Sequence, residues 1–126
     1  IRVYMFYSVE EHVCVATSDS PLGPFVQDEK KPIREEKGID TSVFFDEDGK
    51  AYLYFVRFTN GNVIWCAELK DNLKEIKEET LTQCVEATDR GSWCSERWLK
   101  GLLLSSRAGF IICSTPQMTS EVRIMP

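Results

Sequence analysis

Residues 41–69 read TSVFFDEDGKAYLYFVRFTNGNVIWCAEL, and this stretch decides the fold. Thr41–Phe45 and Ala51–Phe58 are runs rich in aromatic and β-branched residues, and Val63–Leu69 is a third. Such residues suit a pleated, half-buried surface. Between them stand two turn strings, Asp46–Gly49 (DEDG) and Thr59–Asn62 (TNGN). Gly49 is free to take the positive φ that a tight hairpin demands. Three antiparallel strands joined by hairpins follow. Asp71–Glu79 (DNLKEIKEE) is polar with Leu73 and Ile76 three apart, which fits one helical turn or a charged loop, and Leu81–Val85 is a fourth short strand.

Upstream, Arg2–Ser8 (RVYMFYS) and His12–Thr17 (HVCVAT) are two more strands separated by a brief acidic connection, and Ser18–Phe25 (SDSPLGPF) is a turn by its Pro, Gly, Ser and Asp content. Strands therefore recur with turn signals between them and no βαβ unit. The fold class is all-β and antiparallel: a sandwich, a barrel or propeller blades. A propeller blade is a four-stranded meander, and the segment from about Ile39 to Val85 supplies one such set.

Composition narrows the function. The 126 residues amount to one ordinary domain, 43% hydrophobic and 28% charged. Fifteen Lys+Arg against twenty Asp+Glu give a net charge of −5, with no basic cluster, which argues against nucleic acid as a partner. No apolar run approaches the ~20 residues that span a bilayer, so no membrane partner is expected either. Cys14, Cys66, Cys84, Cys94 and Cys113 are widely spaced and odd in number, so the reading is free thiols in a reducing compartment rather than a disulfide framework or a zinc site. His12, the one histidine, falls in an alternating stretch and reads as a surface or rim residue.

Three strings in order carry a resemblance: Tyr4–Ser8 (YMFYS), Val15–Phe25 (VATSDSPLGPF) and Gly38–Phe55 (GIDTSVFFDEDGKAYLYF), the last running on into VRFTNGNVIWCAEL. Together they resemble glycoside hydrolase family 43, whose members are five-bladed β-propellers. The resemblance implies about two blades of such a propeller. It also implies an enzyme of the β-xylosidase, α-L-arabinofuranosidase or arabinanase kind, cutting pentose-containing plant oligosaccharides or polysaccharides with inversion. Such chemistry needs no cofactor and no metal. A carboxylate activates water, a carboxylic acid protonates the leaving oxygen, and the two stand about 6.5–9.5 Å apart. A third carboxylate nearby makes the acid hold its proton longer.

The I-D-x-S string places that third group at Asp40, with Ile39 beside it as a sugar contact; Thr41 stands where the family commonly has Pro. Read without the resemblance, Asp40 is a cap or turn residue at the start of a strand. Asp46, Glu47 and Asp48 read as a solvated turn, and Glu35–Glu36 and Glu78–Glu79 as charged loop pairs. Tyr52, Tyr54, Phe55 and Phe58 could stack on sugar, although alternating aromatics are more often core.

The charge balance breaks near Asp89. Residues 1–89 hold 10 Lys+Arg and 18 Asp+Glu, and residues 90–126 hold 5 and 2, with no Asp, Asn or Tyr. The resemblance stops at Arg90, before the family's acid, which lies in an E-G-P string. Read in the adjacent frame, suitable synonymous codons for residues 90–126 encode EGPF followed by GGVYYLLYS, an E-G-P string and a hairpin. Some codons leave little choice: Trp93–Cys94 forces Val and Met118–Thr119 forces Asp. One base lost at the Asp89 codon accounts for this, making 1–89 a partial glycosidase domain and 90–126 a shifted-frame, non-family tail. The acid's codon would then straddle Leu99 and Lys100, neither Glu96 nor Glu121 replaces it, and the chain itself is expected to be inactive. The alternative is a genuine tail with strands at Leu102–Ser105 and Ile111–Ser114, which favours a non-catalytic carbohydrate-binding β module. A purely structural propeller repeat is a third reading.

Overall fold

The computed structural model describes residues 2–59 and 61–84, together with the backbone of 85–86, 103–107 and 110–114. The expected shifted-frame tail at 90–126 lies outside the described residues except for those two short stretches.

Strands β1 (Val3–Val9) and β2 (His12–Ser18) pair antiparallel, Val3 opposite Ser18 and Val9 opposite His12. The connection is Glu10–Glu11, both at positive φ (48° and 59°), the conformation a two-residue hairpin needs. Thr17 and Val26 then exchange backbone hydrogen bonds of 2.9 Å each way, which places the end of the SPLGPF turn against β2.

Strands β3 (Ile39–Phe45), β4 (Ala51–Arg57), β5 (Val63–Glu68) and β6 (Thr82–Glu86) form one four-stranded antiparallel sheet in the order β3-β4-β5-β6. This is the expected meander, a complete propeller blade. Gly49 takes φ +83°, and its N–H donates to the Asp46 carbonyl at 3.0 Å, closing the DEDG turn. The polar segment Asp71–Glu79 is a charged loop closed by a Leu69–Ile76 bridge, and only Glu78–Thr80 adds a 3₁₀ turn. Strands β7 (Leu103–Arg107) and β8 (Phe110–Ser114) make a separate antiparallel pair. Among the described residues there is no α-helix.

The core explains why AYLYFVRF is nearly continuous in apolar residues. One face of β4 and β5 puts Ala51, Leu53, Phe55, Ala67 and Leu69 into a cluster with Val13 of β2 and Ile76. On the other face Tyr54, Val56 and Ile64 are also buried. A strand covered on both sides loses the polar alternation of a solvated sheet. Sheets packed face to face require this, and β3 lies near β1 and the backbone of β7. The chain thus provides about two antiparallel blades, one complete and one represented by β1, β2 and Val26.

Candidate functional site

The site is built at the start of β3. Gly38 is buried, and its N–H donates to the Glu11 carbonyl at 2.7 Å, which fixes the chain as it enters the sheet. A Cβ there would meet Phe55 Cδ2 at 3.1 Å and the Val56 carbonyl oxygen at 3.2 Å, so a larger residue would have to push its neighbours back by a few tenths of an ångström. Ile39 pairs with Val56, but the next pair is Ser42 with Tyr54. Asp40 and Thr41 therefore stand together opposite the single residue Phe55, which is a β-bulge. β3 begins two residues earlier than the apolar run Thr41–Phe45 indicates, because the bulge hides those residues from the period-two pattern.

Asp40 pays for its place in this bulge with a φ of +53°. A non-glycine residue in the left-handed region is uncommon, and such strain persists only where surrounding structure imposes it. Asp40 is half-buried, and the described residues give its carboxylate no hydrogen bond or ion pair. A capping role would require a backbone N–H on that carboxylate. The bulge instead leaves the carboxylate without a partner among the described residues. Ile39 is half-buried next to it.

The loop that delivers Asp40 is anchored by an ionic cluster. The Glu36 carboxylate accepts from Arg57 Nη2 at 2.5 Å and Arg34 Nη1 at 3.1 Å, and Arg34 Nε donates to Glu78 Oε1 at 2.9 Å. The Arg57 guanidinium lies 4.3 Å from the Trp65 ring centre, and that of Arg34 lies 6.0 Å from Phe55. Both arginine side chains are nearly buried, at 14% and 12% exposure, and so need their partners. The bond from Arg57, with both guanidinium charges, holds the Glu36 carboxyl below its usual range. Glu36 and Glu78 are thus exposed loop residues, as a charge run suggests, that also hold ion-pair partners. Their partners are distant in sequence, which leaves no local signal.

The other candidates fall where the bland readings place them. Asp46 and Asp48 accept backbone N–H bonds from Glu47 (2.8 Å) and Lys50 (3.0 Å) within their turn. Among the described residues no group of three or more His, Cys, Asp or Glu could hold a metal. Tyr54 and Phe55 are core residues, Tyr52 is half-buried and Phe58 is exposed. His12 sits at the rim, with Nδ1 2.7 Å from the Glu10 carbonyl oxygen and Nε2 3.1 Å from that of Glu35. The largest cavity among those described, ≈ 750 Å³ beside Met5, Tyr7, His12 and Pro32, is not lined by Asp40.

Comparison with known proteins agrees with this geometry. The profile described as "Glycosyl hydrolases family 43" matches residues 2–101. A "Beta-xylosidase" of Xylanibacter ruminicola is 38% identical over 93 residues, covering 67% of this chain and 29% of its own length. A "Xylosidase/arabinosidase 43A" of Humicola insolens is 34% identical over 77 residues, covering 57% of this chain and 23% of its own. The crystal structure of an "Endo-1,4-beta-xylanase" from Bacteroides thetaiotaomicron superposes with a TM-score of 0.81 at 51% identity, over 89% of this chain and 38% of the other. The chain thus spans about a quarter to two fifths of the length of these three proteins. The chain belongs to glycosyl hydrolase family 43.

Proposed function

We propose that this chain is part of an inverting glycoside hydrolase acting on pentose-containing plant oligosaccharides or polysaccharides, of the β-xylosidase or α-L-arabinofuranosidase type. Asp40 is the carboxylate that orients the general acid and keeps it protonated, and Ile39 contacts the sugar beside it. The observation that carries this reading is the backbone of Asp40: a left-handed aspartate in the bulge that opens β3, whose carboxylate has no partner among the described residues. The names of the relatives, all drawn from xylose or arabinose chemistry, support the substrate class.

The chemistry asks little of Asp40 beyond charge and position. A negative charge a few ångströms from a carboxylic acid disfavours its ionisation, so the acid stays loaded near neutral pH. The acid then protonates the glycosidic oxygen as a water molecule, activated by a base on the opposite face, attacks the anomeric carbon. Neither acid nor base is assigned within residues 1–89. We further propose that residues 90–126 are read in a shifted frame, which removes the acid and leaves the chain inactive. Purified chain is expected to release no nitrophenol from aryl β-xyloside or aryl α-L-arabinofuranoside, whereas protein made from the same gene with the frame restored at the Asp89 codon should hydrolyse one of them. Hydrolysis by the unrestored chain would overturn the inactivity. An inert restored protein that still binds xylo-oligosaccharide would point to a carbohydrate-binding module instead.

A further inference from the structure

We propose that the open edge of β1 is a docking site for a second copy of this chain, which adds its own β1 antiparallel to the first about a two-fold axis at Phe6. Such pairing depends on the blade geometry and on residue order alone, not on the sugar chemistry.

Among the described residues β1 has one ladder partner, β2, while β3 lies near it in a different sheet. Glu10–Glu11 is a two-residue hairpin turn with both residues at positive φ, so the flanking Val9 and His12 form a hydrogen-bonded pair. Such pairs alternate along an antiparallel ladder. Val3, Met5, Tyr7 and Val9 therefore turn their N–H and C=O groups toward β2, and Tyr4, Phe6 and Ser8 turn theirs outward. No other backbone group among the described residues meets those outward groups. The edge also lacks the usual defences against pairing: Val3–Val9 (VYMFYSV) holds no charge and no proline, and no bulge interrupts its register with β2. Six of its seven side chains are apolar or aromatic and none is buried, whereas six of the seven in β2 are. β1 thus has the exposure of a strand that lacks a neighbour.

Residue order specifies a second copy as that neighbour. Outward groups must meet outward groups, so Tyr4, Phe6 and Ser8 can stand only opposite one another. About Phe6 the strand reads nearly the same in both directions: Phe6 faces Phe6, Met5 faces Tyr7, Tyr4 faces Ser8 and Val3 faces Val9. One step further, Arg2 of each copy meets the turn that carries Glu10 of the other, which sets opposite charges at both ends of the contact. Both residues are exposed. Arg2 Nη2 donates to Thr17 Oγ1 at 3.2 Å, and a guanidinium has further N–H donors for a carboxylate. The outward groups of the two strands would form about six hydrogen bonds across the axis, and the facing aromatic and β-branched side chains add to them. An isologous contact uses the same edge in both copies and so closes at a dimer.

Sedimentation equilibrium on the purified chain should give the mass of two chains, falling toward one on dilution. Hydrogen exchange read residue by residue by NMR should show the Tyr4, Phe6 and Ser8 amides slowing as concentration rises, while those of Met5 and Tyr7, already in the ladder, stay slow throughout. Glu10→Lys sets like charges at both ends and should weaken the dimer about tenfold, and adding Arg2→Glu should restore it. Ser8→Pro removes an outward N–H at an exposed edge position and should yield a monomer that still unfolds cooperatively. A chain that is monomeric at every concentration, species larger than two, or a dimer indifferent to both the charge reversal and Ser8→Pro would overturn the proposal. Protection of the three amides in a monomer would overturn it too, by showing that another segment of the same chain covers the edge.

Discussion

Replacing Asp40 by glycine separates function from architecture more sharply than any other change in this chain. Asp40 sits at φ +53° in the bulge that opens β3. For an L-residue the left-handed region costs about 1–2 kcal/mol, somewhat less for Asp than for most. Glycine takes that conformation freely but loses about 0.5–1 kcal/mol more backbone entropy on folding. The Asp40 carboxylate has no partner among the described residues, so its removal forfeits no hydrogen bond. Asp40→Gly should therefore stabilise the fold by up to about 1 kcal/mol, or raise Tm by roughly 3–5 °C for a domain of this size. Asp40→Asn keeps the shape and the tolerance for positive φ, and should change stability by less than about 0.5 kcal/mol. Urea unfolding followed by tryptophan fluorescence measures both. A loss of about 1 kcal/mol or more in either variant would show that the carboxylate holds the bulge together, and the functional reading of Asp40 would fail. A stabilised Asp40→Gly variant is what strain kept for function predicts.

Three further expectations rest on other parts of the molecule. Gly38→Ala forces a methyl to within 3.1 Å of the Phe55 ring and 3.2 Å of the Val56 carbonyl oxygen, so it should cost about 1–3 kcal/mol in the same urea assay; an unchanged midpoint would mean that β4 moves aside. Arg57 and Arg34 lower the folded pKa of Glu36, so its stabilisation is complete above the ordinary carboxylate range and disappears as pH falls through the depressed value; Glu36→Gln should flatten the acid limb of a stability-against-pH curve, and an unaltered limb refutes it. Accurate sequencing of the gene from the Asp89 codon onward should find the E-G-P reading open in the adjacent frame, whereas stop codons there would make the tail genuine.

Local chemistry made the blade legible. Alternating aromatic and β-branched residues marked β4 and β5, and DEDG with Gly49 fixed the hairpin between β3 and β4. Asp40 was legible only through its resemblance to a known family, since a bulge breaks the very period that reveals a strand. Its left-handed backbone belongs to the fold and leaves no mark on residue order. Glu36 is exposed as its charge run suggests, but its partner Arg57 is distant in sequence and so was not legible. Residues whose role is set by a neighbour in sequence can be read from it, while those whose role is set across strands cannot.

The central claim is that the charge of Asp40 holds a neighbouring acid in its protonated form. The most direct test is the pH dependence of kcat/KM for aryl xyloside or arabinofuranoside hydrolysis by the frame-restored protein and its Asp40→Asn variant. Removing the negative charge lowers the pKa of the acid, so the alkaline limb of the profile should move to lower pH, with kcat reduced by about 10²-fold or more. Full activity with an unmoved alkaline limb would contradict the role assigned to Asp40.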